Sequence, residues 1–175
     1  MRRMILWAPL LVFLAFLGVV GWGLYKPDDR IVHSQMIGQP VPQFALQPSL
    51  PGRPGLSSAD LRSGQPHLVN IFASWCLPCR VEAPQLAELS RRGVKVVGVA
   101  VRDRPEDLSA FLATYGDPFA AIGADNDRRV QLALGSAGVP ETFLVDRNGI
   151  IRHQHIGAIT DADIPTIMAA YEAAR

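Results

Sequence analysis

The sequence predicts an α/β sandwich with a mixed sheet, preceded by one N-terminal transmembrane helix. After residue 60, apolar strand-like segments alternate with helical ones, which is typical of parallel strands joined by crossover helices. A last pair of strand-like segments flanks Asn148-Gly149, a common hairpin turn. Near the N-terminus, residues 4–25 carry no charge and are numerous enough to cross a bilayer. Each of these features predicts a part of the architecture.

Length and charge restrict the function classes. The chain has 175 residues and a formal net charge of +1. One domain of ordinary size with a substantial core fits this length. There is no basic excess that would indicate a nucleic-acid partner, and we find no repeat or phosphate-binding glycine loop.

The N-terminal segment is predicted to be a retained membrane anchor. As a helix it would be about 33 Å long, against a bilayer core of about 30 Å. Trp7 and Trp22 lie near its ends, and Arg2 and Arg3 favour an N-inside orientation. The alternative is a cleaved signal peptide, whose apolar core would be shorter, about 7–15 residues. In both cases the remainder is exported, where disulfide chemistry is sustained.

The predicted anchor divides the chain into three parts. Residues 1–25 form the anchor, residues 26–40 a polar tether, and residues 41–175 a single α/β domain. In the first half of the domain we expect, in order, a short alternating strand at 41–47, a Pro/Gly-rich turn at 48–54, a brief helix at 57–61 and a buried central strand at 67–73.

The second half alternates more regularly. We expect a helix at 77–92, a buried strand at 94–101, a helix that begins at Pro105, a short strand at 119–122, a helix capped by Asp125 or Asn126 that ends before Gly135, a hairpin of strands 142–146 and 150–156, and a last helix from Thr160 or Asp161 to Ala174.

The two cysteines of the chain, Cys76 and Cys79, are at the predicted turn from the central strand to its helix. Unpaired N–H groups and the positive end of the helix dipole favour a thiolate there. A thiol pKa of about 8.5 falls to about 3.5–7.5 at such sites. We therefore predict that Cys76, facing solvent at the helix tip, is the attacking thiol and that Cys79 is the resolving one.

Two other uses of this cysteine pair are less consistent with the sequence. A structural disulfide that closes so short a loop constrains the unfolded chain little. A structural zinc site normally needs four ligands, and there is no second cysteine pair. His153 and His155 share a strand face, but such spacing is more often an ordinary solvent-facing pair. Redox chemistry is the favoured interpretation, because Cys-x-x-Cys in a βαβ context is a specific signal.

Three further residues are candidates for the site, each with an ordinary alternative. Pro140 is either a strand-start proline or part of a loop opposite Cys76 that leaves the backbone of Val139 free to pair with an extended peptide. Glu82 is either a solvated helix residue or a buried carboxyl of raised pKa that takes the proton from Cys79. Asn70, the polar residue of the central strand, is predicted to be a hydrogen-bonded core amide.

Two segments carry a family resemblance, residues 69–82 (VNIFASWCLPCRVE) and residues 138–146 (GVPETFLVD). With them, the chain resembles the thioredoxin superfamily. Within it, the chain is similar to the DsbE or CcmG family of membrane-anchored periplasmic thiol:disulfide interchange proteins of cytochrome c maturation. The resemblance implies a thioredoxin-like three-layer α/β/α sandwich.

The same resemblance implies roles for individual residues. Cys76 would be the nucleophile, Cys79 its partner, and Glu82 the acid near them, in place of the buried Asp that ordinary thioredoxins have where this chain has Asn70. Pro140 would be cis. The residues expected to contact substrate are Trp75, Val139, Pro140 and Glu141, with Asn70 and Pro78 in support.

The implied function is reductive. The dithiol would reduce a disulfide of apocytochrome c, or of a carrier that holds it, with electrons from a membrane thiol reductase. The protein would be a single-pass protein of a bacterial inner membrane with its domain in the periplasm. Neither a metal nor a cofactor beyond the cysteine pair is expected. The alternatives are a general or oxidising periplasmic exchange protein and a thioredoxin-like chaperone that binds apocytochrome.

Overall fold

The fold is that of a computed structural model, in which backbone placement is described for residues 2–25 and 33–175. The chain divides into two units, Met1–Ile31 and Val32–Arg175. The described part of the first unit is helix α1 (Arg2–Tyr25), which contains Pro9. Its large apolar side chains are exposed from Trp7 to Trp22.

The predicted N-terminal helix is confirmed, but its membrane-spanning character is not. Among the residues that the structure describes, no helix is both long enough and apolar enough to cross a membrane. Of the predicted tether, residues 26–32 lie outside the described residues. Residues 33–40 of this tether are not a free linker. Ser34 is buried, and the backbone N–H of Gly38 donates to the Ile151 carbonyl over 2.7 Å.

The second unit is built on a five-stranded mixed sheet. Its strands are β3 (His67–Phe72), β4 (Val96–Val101), β5 (Ile122–Asp125), β6 (Glu141–Val145) and β7 (Ile151–Ile156). Their order across the sheet is β5-β4-β3-β6-β7. Strands β3, β4 and β5 are parallel, whereas β6 pairs antiparallel with both β3 and β7. All side chains of β3 and β4 are buried, as expected of central strands. The predicted mixed sheet is confirmed.

Two apolar cores separate the sheet from the layers on its faces. One core contains residues of α2 (Leu77–Arg91), α3 (Pro105–Tyr115) and α5 (Ile164–Ala173). The other contains residues of α4 (Arg129–Ala133), of a 3-10 helix (Asp60–Arg62) and of β2 (Leu56–Ser57), which pairs with β1 (Ala45–Leu46). The predicted three-layer sandwich is therefore observed.

Several predicted boundaries were wrong. The strand expected at 41–47 is only Ala45–Leu46, and its partner β2 was not predicted. The strand expected at 119–122 begins where the prediction ends it, at Ile122. Helix α4 starts later than predicted, although the carboxylate of Asp125 accepts from the Val130 and Gln131 amides as a cap would.

Candidate active site

The cysteine pair lies at the junction of the central strand and its helix, as predicted. Strand β3 ends at Phe72, and α2 begins at Leu77, with Cys76 as its N-cap residue. The two sulfurs form a disulfide with an S–S distance of 2.07 Å. The Cys79 amide donates to the Cys76 sulfur over 3.2 Å. In the dithiol form, such an amide and the N-terminal end of the helix dipole would stabilise negative charge on Cys76.

The predicted exposure of Cys76 is wrong. Cys76 is only 4% exposed and Cys79 only 2%, whereas the neighbouring Trp75 is 58% exposed. The reason is the compactness of the turn: the cysteine side chain is short, and both sulfurs belong to the core beneath α2. Only a narrow edge of the Cys76 residue is in contact with solvent, so a partner must approach closely to reach its sulfur.

Side chains outside the motif hold the loop that precedes Cys76. The carboxylate of Asp103 accepts from the backbone N–H of Ser74 at 2.6 Å and from its hydroxyl at 2.5 Å. Arg80 donates to the Ser74 carbonyl, and the Trp75 indole donates to the Arg102 carbonyl. The exposed Trp75 ring therefore has a fixed place beside the pair, as suits its predicted role in substrate contact.

A groove lies beside this loop. It has a volume of about 410 Å³ and is lined in part by Trp75, Arg80 and Tyr115. The guanidinium carbon of Arg80 is 5.8 Å from the centre of the Tyr115 ring, a cation–π distance. The groove is a recessed surface beside the residues that flank Cys76.

Glu82 is fully buried, so of the two alternatives for this residue the structure shows the buried carboxyl and not the solvated helix residue. Its carboxylate accepts from the Asn70 amide at 2.9 Å and from the Ile159 backbone N–H at 3.1 Å. Burial raises the pKa of the Glu82 carboxyl to about 7, although these two hydrogen bonds act in the opposite direction. The carboxyl therefore titrates near neutral pH, which suits a group that accepts and returns a proton.

Glu82 and Cys79 share a small internal cavity of about 10 Å³. That volume is close to the least that holds one water molecule. Asn70 lines the same cavity and, besides its bond to Glu82, donates to the Thr142 hydroxyl over 3.0 Å. The predicted core amide thus connects the carboxyl to β6, while its own Oδ1 has no hydrogen-bond partner among the described residues.

The loop before β6 lies next to the strand that leads to the cysteines. The Val139–Pro140 peptide is cis, as the resemblance implied. Because Glu141 pairs with Ile71 in the sheet, the loop is beside the end of β3, and Val139 packs against the core that contains both cysteines. We call residues 137–140 the substrate loop. Its placement suits the predicted pairing with an extended peptide.

Glu141 does not face the substrate, and this prediction is corrected. Its side chain is 2% exposed. Successive side chains of a strand point to opposite faces, so Glu141 shares a face with Phe143, away from the face on which Thr142 meets Asn70. Its Oε1 accepts from the backbone N–H groups of Ala137 and Gly138, at 2.9 and 3.0 Å. Glu141 therefore supports the substrate loop from behind.

Pro78 is exposed in the first turn of α2, where a missing N–H costs no helical hydrogen bond.

Within the described residues, no three His, Cys, Asp or Glu side chains are arranged to hold a metal ion. Sequence reasoning missed Asp103, Ile159 and Gln154. Asp103 lies two residues after β4, at the edge of the sheet where β3 also ends, and this position was the signal available for it.

Comparisons with known proteins identify the family of the chain. The family model described as Redoxin matches residues 36–170. The chain is similar to the thiol:disulfide interchange protein HelX of Rhodobacter capsulatus, at 38% identity over 92% of this chain and 91% of that protein. It is also similar to the thiol:disulfide interchange protein DsbE of Escherichia coli, at 40% identity over 90% of this chain and 87% of the relative.

A solved structure supports the fold. A thiol:disulfide interchange protein of the thioredoxin family from Chlorobium tepidum superposes with a TM-score of 0.62 at 28% identity. The match covers 77% of this chain and 94% of that one. The thioredoxin-like architecture implied by the two sequence segments is thereby confirmed.

Proposed function

We propose a specific reaction for this chain, which belongs to the redoxin family and, within it, to the DsbE-type thiol:disulfide interchange proteins. In its dithiol form it reduces a disulfide of apocytochrome c, or of a carrier that holds apocytochrome c, during maturation of c-type cytochromes. The observation that carries the proposal is the Cys76–Cys79 pair at the N-terminus of α2, with the buried carboxyl of Glu82 below it.

The first step forms a mixed disulfide. The Cys76 thiolate attacks one sulfur of the substrate disulfide, and the other substrate sulfur leaves as a thiolate. The helix N-terminus favours Cys76 as the thiolate. An extended substrate segment pairs with the backbone of Val139, which brings its disulfide to the narrow open edge at Cys76.

The second step releases the substrate. Glu82 takes the proton of the Cys79 thiol, and the resulting thiolate attacks the Cys76 sulfur. The Cys76–Cys79 disulfide forms, and the second substrate sulfur leaves and is protonated. Two electrons have then passed to the substrate, and a membrane thiol reductase must return two electrons to the pair before the next cycle.

Cysteine variants test this order of attack. We expect Cys76→Ala to form no mixed disulfide with a Cys-x-x-Cys-His peptide disulfide and to support no holo-cytochrome c in cells. Cys79→Ser should accumulate the mixed disulfide, which mass spectrometry would detect. Normal cytochrome c levels with Cys76→Ala would reject catalysis by this pair and favour a chaperone that only binds apocytochrome.

The midpoint potential of the pair tests the direction of electron flow. A reductase of exported proteins needs a potential well below about −120 mV, the value of a strong oxidant. Equilibration with glutathione buffers measures it. A potential near that of strong oxidants would favour a general or oxidising exchange protein.

Export and membrane attachment complete the proposal, with the domain on the periplasmic side of a bacterial inner membrane. The support is the uncharged segment 4–25, about 33 Å long as a helix, and its preceding arginines. We expect the full chain to remain with membranes washed in alkaline carbonate. A chain carrying Leu14→Arg and Leu17→Arg should be released, and release of the wild type would contradict the anchor.

A further inference from the structure

A buried chain of hydrogen bonds runs from the N-terminal segment of the domain to the substrate loop. The Ser34 backbone N–H donates to the Gln154 Oε1 over 2.8 Å. The Gln154 Nε2 donates to the Glu141 Oε2, also over 2.8 Å. Ser34, Gln154 and Glu141 are all buried, so these bonds are shielded from competing water.

The inner end of this chain holds the backbone of the substrate loop. The other oxygen of Glu141 accepts from the Ala137 and Gly138 N–H groups, directly before the Val139–Pro140 peptide. The Gly138 carbonyl in turn accepts from Gln131 Nε2 at 3.1 Å and from the Ser136 hydroxyl at 2.9 Å. The loop is therefore held through its backbone, which leaves its outer edge available for a bound peptide.

The outer end of the chain is itself docked. Residues 34–41, which we call the docked segment, run along the beginning of β7: Gly38 donates to the Ile151 carbonyl, and Ile151 donates to the Gln39 carbonyl. At its start, the Ser34 hydroxyl donates to the Leu134 carbonyl over 2.5 Å and accepts from the Met36 N–H over 3.0 Å. The Ser34 amide is thus held in place where Gln154 needs it.

We propose that Gln154 is a positioning residue for the substrate loop, and that the docked segment completes this support through Ser34. The proposal rests on the proposed function, in which the loop pairs with an extended stretch of the substrate protein. Gln154 joins the two ends because its amide offers one acceptor and one donor, and each has a single buried partner.

Loss of this support should lower the affinity for polypeptide substrates and leave the reactivity of the sulfurs unchanged. Without the Gln154 amide, Glu141 Oε2 loses its donor, and a buried carboxylate oxygen without a partner is costly. The carboxylate then shifts, and the Ala137 and Gly138 amides lose their common acceptor. A displaced loop pairs less well with an extended segment, whereas a disulfide without a peptide backbone makes no use of the loop.

Gln154→Met tests the proposal in the full chain, because it keeps most of the side-chain volume and removes both amide groups. Tyr171→Phe is the matched control. The Tyr171 hydroxyl also makes two hydrogen bonds of 3.0 Å, a buried one to the Pro66 carbonyl and a partly buried one from the Lys95 N–H, and none to the substrate loop. Ser34→Ala is a milder second variant at the outer end, for use if Gln154→Met does not fold.

Hydrogen exchange and kinetics supply two readouts. We expect the Ala137 and Gly138 amides to exchange about tenfold faster in Gln154→Met and about two- to threefold faster in Ser34→Ala. The KM for a Cys-x-x-Cys-His peptide disulfide should rise about 3- to 10-fold in Gln154→Met, whereas the rate with hydroxyethyl disulfide changes less than about twofold. Tyr171→Phe should leave loop exchange and the peptide KM unchanged.

Unchanged loop exchange in Gln154→Met, or equal changes in Gln154→Met and Tyr171→Phe, would overturn the positioning role. Faster exchange with an unchanged peptide KM would overturn the link from loop placement to affinity. Hydrogen exchange needs no substrate. If the wild type reduced no peptide disulfide, the proposed function would fail, while exchange would still decide whether Gln154 holds the loop.

Discussion

Glu82 and Cys79 line one small cavity, so the carboxyl with a pKa near 7 lies close to the sulfur that must lose a proton. Hydrogen bonds to Asn70 and Ile159 orient the carboxyl from two different elements, β3 and the segment before α5. At the residue scale this arrangement supports the proposal that Glu82 takes the proton of the resolving step.

We expect Glu82→Gln to slow resolution of the mixed disulfide about 100-fold at pH 8, the lower range for general base catalysis. In the wild type the rate should rise with pH through about 7, as the Glu82 carboxyl loses its proton. The variant should lack this inflection. Stopped-flow measurement of resolution between pH 5 and pH 9 checks it.

Glu88→Gln is the control, since Glu88 lies on the same helix but pairs with Arg92 at the surface. A pH profile of Glu82→Gln that matched the profiles of Glu88→Gln and the wild type would remove Glu82 from the mechanism.

The positions of site residues were predictable where a local pattern determined them. The spacing of Cys76 and Cys79 and the position of Glu82 on the next turn of α2 were enough to bring those side chains together. The exposure of Cys76 and the direction of Glu141 depend on packing across the sheet. For Glu141 a signal existed, because the alternation with Phe143 and Val145 places all three on one face.

At the scale of elements, strand β4 has a glycine, Gly98, where it lies against the stacked rings of Phe72 and Phe119. Gly98 pairs with Asn70 in β3. An ideal Cβ on Gly98 would be 2.7 Å from the Phe72 ring, which stacks on Phe119 with centroids 4.6 Å apart. The absence of a side chain at Gly98 therefore permits the stack.

Gly98→Ala is expected to lower the free energy of unfolding by about 1–3 kcal/mol, because the Phe72 ring must move within a close-packed core. Urea denaturation followed by circular dichroism measures it. Gly138→Ala is the control, since a Cβ there has open space, and we expect a change within about 0.5 kcal/mol. Equal effects of the two substitutions would contradict the packing argument.

Long, strongly apolar elements were predicted well, and short ones were not. Strand β4 is a continuous apolar segment and strand β3 is apolar except for His67 and Asn70, so their sequence alone identifies them. The β1–β2 pair consists of two residues per strand, Ala45–Leu46 and Leu56–Ser57, and contacts across the fold rather than local preference determine it. Helix α4 begins at Arg129, directly after Arg128, whose backbone has a left-handed conformation. The sequence did not indicate this conformation at Arg128.

At the scale of the whole molecule, two buried titratable side chains, Glu82 and His67, have opposite effects on how the free energy of unfolding changes with pH. The folded state keeps the Glu82 proton up to about pH 7, whereas the unfolded chain releases it near the ordinary value of 4.5. The free energy of unfolding therefore falls as pH rises from about 4.5 to 7. Burial, aided by Lys95, lowers the pKa of His67 from 6.5 to about 4, so stability rises with pH between about 4 and 6.5.

Each contribution is at most about 3 kcal/mol, and over most of this range the two offset each other. We expect Glu82→Gln to become more stable relative to the wild type as pH rises from about 4.5 to 7, and His67→Gln to become less stable relative to the wild type from about 4 to 6.5. Denaturation curves of the three proteins at pH 4, 5.5 and 7 check this. If the free energy of unfolding had the same pH dependence in all three proteins, the shifted pKa values of Glu82 and His67 would be contradicted.

The 4% exposure of Cys76, beside a Trp75 that is 58% exposed, has a consequence for selectivity among proteins. Compact secreted proteins keep their disulfides inside rigid frameworks that cannot bring a sulfur into close contact with so little exposed surface. An unfolded chain that awaits its prosthetic group can do so. In the exported setting proposed above, this steric filter would spare mature crosslinked neighbours even while the enzyme carries reducing equivalents.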